Sequence, residues 1–452
     1  MRGLRSRPHQ TVETVTEEAA PSAGVGYALR AFRHRDFRIF WCGALTSNTG
    51  TWLTNLAVPY ALFQLTHSPL WVSLATVVQL VPGVLLGSVG GSLADHYDRR
   101  KVLIATQAGM AAGTIGLCAV WVSGSPTPEL IMLMLLVTGV FGGANRPVWQ
   151  SFTNDLVPRA DLSSAVALNS MQFNAARALG PALAGAIIAL LSPGWAFAVD
   201  ALSFIGVQLA LMSITSRPRS STAGGRGVVG DIRSAVRYVA GQRGIQVAIL
   251  LSVLVGLFGN PIFTFTVVFA DDVFHVGALG LGLMNAAMGV GCLLVAPLVS
   301  GGLRGLTLGR LTRIGLPLYG IALGGFALCP GIVPGVLLLV LVGGCFMSVL
   351  TSANTAIQLI VAAPMRGRVI AVRTVLFTGA MPLGSLLQGA LTDVFGPRVA
   401  MSVAGLGLLT AGVLLSGVDR GRWLRRLDDP HDEGGPRSAE WHDPALAPSL
   451  SS

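Results

Sequence analysis

Apolar runs of about twenty residues or more recur along nearly the whole chain, broken by short stretches of charge, Pro or Gly. At about 1.5 Å of rise per residue, each run is long enough to cross a hydrocarbon core of roughly 30 Å. Twelve spans are predicted, near 38–64, 70–93, 102–122, 129–152, 164–191 and 195–214, then 244–270, 278–300, 308–329, 333–360, 367–392 and 398–418. A transmembrane barrel would instead show short, strictly alternating segments, and these are absent. The pattern therefore predicts an all-α polytopic membrane protein. Its expected units are an N-terminal tail with a basic interfacial segment (1–37), a six-helix bundle (38–214), a linker (215–243), a second six-helix bundle (244–418) and a tail (419–452).

The linker opens on SRPRSSTAGGRG, a flexible composition. Further on, GDIRSAVRYVAGQ (229–241) puts Ile232, Val236, Val239 and Ala240 on one helical face, with Arg233 and Arg237 off it. That suits a helix lying on the inner membrane surface. The tail (419–452), which from Asp428 carries six acids with Pro and Ser, is expected to be disordered in the cytoplasm.

Composition agrees with the pattern. The 452 residues are 52% hydrophobic and 12% charged, with a mean hydropathy of +0.66; a soluble chain would be about one quarter charged. Arginine supplies 30 of the 31 basic residues, as in a bacterial genome rich in G and C. The net charge of +10 would point to nucleic acid in a soluble protein, but in a membrane protein basic loops set orientation. No nucleic-acid partner is expected. With both termini in the cytoplasm, the inner segments hold 27 of the 31 basic residues, the outer loops hold Arg398 alone, and Arg146, Arg177 and Arg373 fall within spans. The localisation expected is the inner membrane of a bacterium, multi-pass.

Five cysteines (Cys42, Cys118, Cys292, Cys329, Cys345) lie in or beside apolar segments without CxxC or metal spacing, so no metal or cofactor is expected. The polar start with Arg2, Arg5 and Arg7 does not read as a cleavable signal peptide. No phosphate loop and no catalytic triad occur in the sequence, which argues against an enzyme and for secondary transport. The halves also echo each other: Gly180-Pro-Ala-Leu-Ala-Gly185 in span 5 matches Gly384-Ser-Leu-Leu-Gln-Gly389 in span 11. Repeated halves are how many transporters build a central site with access from two sides.

Four stretches carry a resemblance. They are TSNTGTWLTNLAVPYALFQLTHSPL (46–70), GGSLADHYDRRKVL (90–103), SAVALNSMQFNAARALGPALAG (164–185) and RGRVIAVRTVLFTGAMPLGSLLQG (366–389). Together they resemble the major facilitator superfamily, in particular its enterobactin-exporter and macrolide-efflux branch, over about residues 30–418. The resemblance implies two pseudo-symmetric bundles rocking about a midplane cavity, in a monomer without cofactors. It further implies export of a small organic molecule (a siderophore, macrolide or other natural product or drug) by alternating access, as antiport with protons. Rival readings are a lipid flippase or uptake permease of the same fold, and a non-transporting membrane sensor or scaffold.

By the same resemblance Asp95 is a gate-loop aspartate that meets the start of span 11, where Arg366 and Arg368 add to the attraction. A carboxylate at a helix N-terminus gains roughly 0.3–1 kcal/mol. Gly91 would permit close backbone approach, and Asp98, Arg99, Arg100 and Lys101 complete the loop, the basic residues holding it at the anionic leaflet. His96 stands where the superfamily often has Arg or Lys. The plainer reading of the loop is a basic stop between spans. The look-alike GALTDVFGPRVA (389–400) faces outward by the charge count. In span 5, Gly180, Pro181 and Gly185 resemble the exporters' Gly/Pro motif; ordinary small-residue packing is the alternative.

The resemblance also places spans 1, 4, 7 and 10 around the cavity. Helical spacing puts Asn48, Trp52 and Asn55 on one face, Arg146 with Trp149 or Gln150 on another, and Thr351, Asn354 and Gln358 on a third; span 7 offers Asn260 and Phe263. Such groups suit a bulky, partly apolar, hydrogen-bonding cargo, or else bond between helices. Arg177 lies near midplane, where an arginine costs roughly 2.5–3.5 kcal/mol. It either meets an anionic or catecholate substrate or pairs with Asp200. Asp200 is the one acid well inside a span, hence the candidate coupling acid.

Overall fold

The computed structural model describes residues 29–214, 228–297, 307–417, 424 and 426–428. Among these there is no strand, and twelve helices have the length of a membrane span. In the first half these are α1 (Arg35–Thr66), α2 (Pro69–His96), α3 (Arg99–Val122), α4 (Pro128–Asp155), α5 (Leu162–Leu190) and α6 (Pro193–Ser213). In the second they are α7 (Arg243–Val273), α8 (Gly277–Pro297), α9 (Leu308–Leu328), α10 (Ile332–Ile360), α11 (Ala363–Phe395) and α12 (Pro397–Gly417). Eleven are both long and apolar enough to cross a membrane; α1 is long enough but carries the polar run TSNTGTWLTN. The chain is a multi-pass membrane protein.

The turns explain the short connections. α2, α4 and α6 each begin with Pro at the first helical turn, after Ser68, Thr127 and Ser192. Proline there has its φ already set and lacks an N–H that would be unpaired anyway. Before α12 the chain turns at Gly396, whose φ of 82° favours glycine. α7 departs from regular helix in two π-turns, Val255–Gly259 and Phe269–Val273, on either side of Pro261. Over the outside, large apolar side chains such as Leu85, Leu190, Leu328 and Val394 are more than two-thirds exposed, which a lipid solvent permits and water would not.

Two cross-half seams join the bundles. α5 and α8 run antiparallel in close contact: a Cβ on Gly185 would stand 2.7 Å from Gly282 Cα, and one on Gly289 would stand 2.8 Å from Ala178 Cα. α2 meets α11 where the Ser73 hydroxyl donates to the Ser385 carbonyl at 2.8 Å. Gln64 of α1 donates to Asp271 of α7 at 3.1 Å. Ser73, Ser385, Gln64 and Asp271 lie toward the helix ends whose loops hold Arg398 as their single basic residue, so the halves touch at that end.

Residues 1–28 of the N-terminal tail, the 215–227 stretch of the linker and nearly all of 419–452 lie outside the described residues. The linker helix spans Val228–Ala240. Its Ala235 is buried and Tyr238 and Val239 pack on the core, while Val236 is exposed; the side chain of Ile232 lies outside the described residues. Leu424 and Leu427, inside the tail expected to be disordered, are buried against the second half.

Candidate functional site

Small residues on α5 bring a cation between the halves. Gly180 leaves no room for a Cβ beside Trp52 of α1, and Gly185 does the same against α8. One turn before Gly180, the Arg177 guanidinium carbon lies 4.8 Å from the Phe263 ring of α7, 4.9 Å from the Phe346 ring of α10 and 5.7 Å from the Trp52 ring. Phe263 and Phe346 meet edge-to-face at 5.1 Å, and Trp52 packs on Phe173 at 6.1 Å. A planar, weakly hydrated guanidinium is well suited to stacking on aromatic faces. Among the described residues Arg177 Nε has no hydrogen-bond partner, and neither has the buried hydroxyl of Tyr319, which packs against Gly259 of α7.

Arg177 and Asp200 do not pair. Asp200 is 2% exposed, and its carboxylate accepts from Thr54 of α1 at 2.6 Å and from Ser203 at 3.3 Å. A Cβ on Gly50 would stand 2.5 Å from Asp200 Oδ1, so the acid is packed into the contact between α1 and α6. Arg373 of α11, the third arginine within a span, donates from Nε to Ser252 of α7 at 2.9 Å and from Nη1 to Asn354 of α10 at 3.1 Å.

The cavity candidates separate accordingly. Trp52, Arg177 and Phe263 come together. Asn354 turns to Arg373, and Asn55 accepts from Gln79 of α2 at 3.1 Å. Trp149 stacks on Phe40 at 4.6 Å inside an apolar cluster and serves packing. Asn48, Arg146, Gln150, Asn260, Thr351 and Gln358 are not brought into this group, and Arg146, Gln150 and Gln358 are exposed. Sequence reasoning missed Phe346, Tyr319 and Ser252 as neighbours. Phe346 sits in the apolar run LVGGCFMSVL without a polar mark. Arg373 was marked only by being a charge within a span.

At the loop between α2 and α3, α2 continues to His96, and Asp98 caps α3 by accepting from the Arg100 and Lys101 N–H groups at 2.9 and 3.4 Å. The placement of Gly91 and of the Asp95 side chain lies outside the described residues. Arg99 and Arg100 depart from their expected place at the lipid surface. Arg99 is buried and bonds Asp155 at the end of α4 at 2.6 Å. Arg100 donates to the Leu211 and Met212 carbonyls at the end of α6, both at 2.6 Å. The tight turn after α2 sets the start of α3 beside those two helix ends, whose carboxylate and last carbonyls attract cations. Lys101 and Arg366 are exposed. Arg368 donates to Ser234 of the linker helix at 3.4 Å, and the Ala362 N–H donates to the Tyr238 hydroxyl at 3.3 Å, so the start of α11 abuts the linker helix.

A family model described as transmembrane secretion effector matches residues 27–451. The enterobactin exporter EntS of Citrobacter koseri is 26% identical over 385 residues, covering 84% of this chain and 91% of that protein. The staphyloferrin A transporter of Staphylococcus aureus is 23% identical over 399 residues, covering 87% and 99%. Among solved structures, a D-xylose-proton symporter matches with a TM-score of 0.69 at 14% identity, over 84% of this chain and 96% of that one. A bacterial homolog of the human lysosomal transporter Spinster, inward-facing and unoccupied, matches with a TM-score of 0.67 at 13% identity, over 90% and 99%. At such identities these structures show the fold alone.

Proposed function

Because this chain belongs to the transmembrane secretion effector family of the major facilitator superfamily, and so is a membrane transporter of small molecules rather than an enzyme, we propose that it exports an organic anion. The cargo class is a siderophore or other natural product or drug bearing negative charge. The relatives whose names specify enterobactin and staphyloferrin A support the siderophore reading. Transport runs by alternating access from an inner membrane, with both termini in the cytoplasm.

The observation that carries this is Arg177. A charge at midplane needs compensation, and its neighbours are rings of both halves rather than a carboxylate. Cation–π contacts supply about 0.5–2 kcal/mol each; a cargo carboxylate or phenolate would supply the missing counter-charge and take the unpartnered Nε. Phe263 and Phe346 belong to one half, Arg177 and Trp52 to the other, so cargo seated there would touch both moving bodies.

Proton antiport is assigned to Asp200, the acid inside a span with hydroxyl partners and no cation partner among the described residues. Asp95 is assigned the inner latch with Gly91, Asp98 and Lys101, against the α11 start at Arg366 and Arg368. Inverted vesicles offered anionic and neutral cargoes under a pH gradient test the reading. Gradient-driven uptake of anions, lost in Arg177→Ala, is expected. Anion uptake that is unchanged in Arg177→Ala, or wild-type uptake of neutral analogues as fast as of anions, overturns the anion site, and uptake that survives gradient collapse overturns proton coupling. Asp95→Asn is expected to slow transport at unchanged membrane abundance; unchanged flux removes the latch.

A further inference from the structure

The inner end of α9 holds a second charged site, apart from the cargo path. Thr307 caps the helix by accepting the Arg310 N–H at 3.2 Å. Arg310 and Arg313, three residues apart on one face, are exposed, and their side chains have no hydrogen bond or ion pair among the described residues. With Thr307, Gly309 and Ile314 they line an open pocket of about 490 Å³, whose lining Leu424 and Asp428 complete. Leading away from the arginines along the same face of α9 runs an exposed apolar stripe: Ile314 (54% exposed), Ile321 (57%) and Leu328 (71%), each seven residues from the last.

We propose that this pocket binds the phosphate of an anionic phospholipid, with one acyl chain lying along Ile314, Ile321 and Leu328. Arginine forks match phosphate oxygens bidentately, and basic pockets at the inner ends of membrane helices face the leaflet richest in anionic lipid. The stripe supplies what a free phosphate would not use, an apolar track about 20 Å long at 1.5 Å per residue. Asp428 already places its carboxylate on the Gly309 N–H at 3.1–3.2 Å. It stands as an internal anion at the rim, opposing a phosphate beside it. The acidic tail and the lipid therefore compete for this corner of the second half.

The test uses the full-length chain, delipidated in neutral detergent, with binding read by native mass spectrometry and by thermal shift. Dioleoyl-phosphatidylglycerol, dioleoyl-phosphatidylcholine and glycerol 3-phosphate are the probes. The expected result is retention of phosphatidylglycerol in preference to phosphatidylcholine, weakened about tenfold in Arg310→Ala/Arg313→Ala, the scale of losing charge-assisted hydrogen bonds. Asp428→Asn, which removes the rim charge, is expected to tighten binding and still decides the matter if the double variant does not fold. Equal retention of both lipids, or no change in Asp428→Asn, overturns the proposal. Glycerol 3-phosphate competing as well as the lipid makes this a free-phosphate site and overturns the acyl-chain assignment. Cargo transport is a separate readout, so failure here leaves the Arg177 reading standing.

Discussion

At the scale of single residues, the two charges within spans 5 and 6 of the first half have opposite surroundings. Asp200 is held by hydroxyls; Arg177 is held by rings. Thr54→Val keeps the shape of the side chain but removes the donor to Asp200 Oδ2. Leaving a buried acceptor unmet costs about 1–3 kcal/mol, so the variant should unfold at a lower temperature in detergent; an unchanged Tm would show that the remaining hydroxyls, Ser203 and Thr114, suffice. Arg177→Lys keeps the charge and discards the flat, delocalised surface that lies within 5 Å of Phe263 and Phe346. Transport should fall about tenfold, the price of roughly 1.4 kcal/mol, with little loss of folded protein. Full activity in the lysine variant would mean that charge alone matters there.

At the scale of helices, most of what the sequence could say came from period and punctuation. Apolar run length located the eleven helices that are long and apolar enough to cross a membrane, because lipid demands that length whatever the helix packs against. The span expected at 38–64 is a helix of sufficient length, α1, with a polar middle. What the sequence could not say was which face meets which. Trp149 and Trp52 lie on helices of equivalent expectation, yet one packs on Phe40 and the other on Arg177. Arg99 and Arg100 look like lipid-facing charges in GGSLADHYDRRKVL, and only the folded positions of Asp155 and Met212 show their partners. Small residues were legible as contact points without their partners being so. Gly185 is one: alanine there already brings a Cβ to 2.7 Å from Gly282 Cα and 2.8 Å from the Ala278 carbonyl, both backbone. Gly185→Leu should therefore pry α5 from α8. With Cys42 replaced by serine, a reporter Gln64→Cys should then react faster with a membrane-impermeant maleimide from outside; unchanged labelling would show that the seam does not hold the outer end shut.

At the scale of the whole molecule, the hydrogen bonds between the halves lie toward one end of the bundles. Ser73 to Ser385 and Gln64 to Asp271 join the halves at one side, the linker helix occupies the α11 start at the other, and Arg177 sits between. If cargo moves by alternation, the α2–α11 contact at Ser73 must separate once in every turnover. A Cβ on Gly389 would stand 3.1 Å from Ser73 Cβ, slightly inside the roughly 3.5–4.5 Å usual for a disulfide, so a small relaxation of α11 would admit a bridge. In a background without the five native cysteines, Ser73→Cys/Gly389→Cys should cross-link under mild oxidation and stop transport, and dithiothreitol should restore it. Each single variant should stay active, since neither closes the seam covalently. Transport that continues through a complete cross-link would mean that this end never opens, and with it the rocking of two halves about Arg177 would fail as the mechanism.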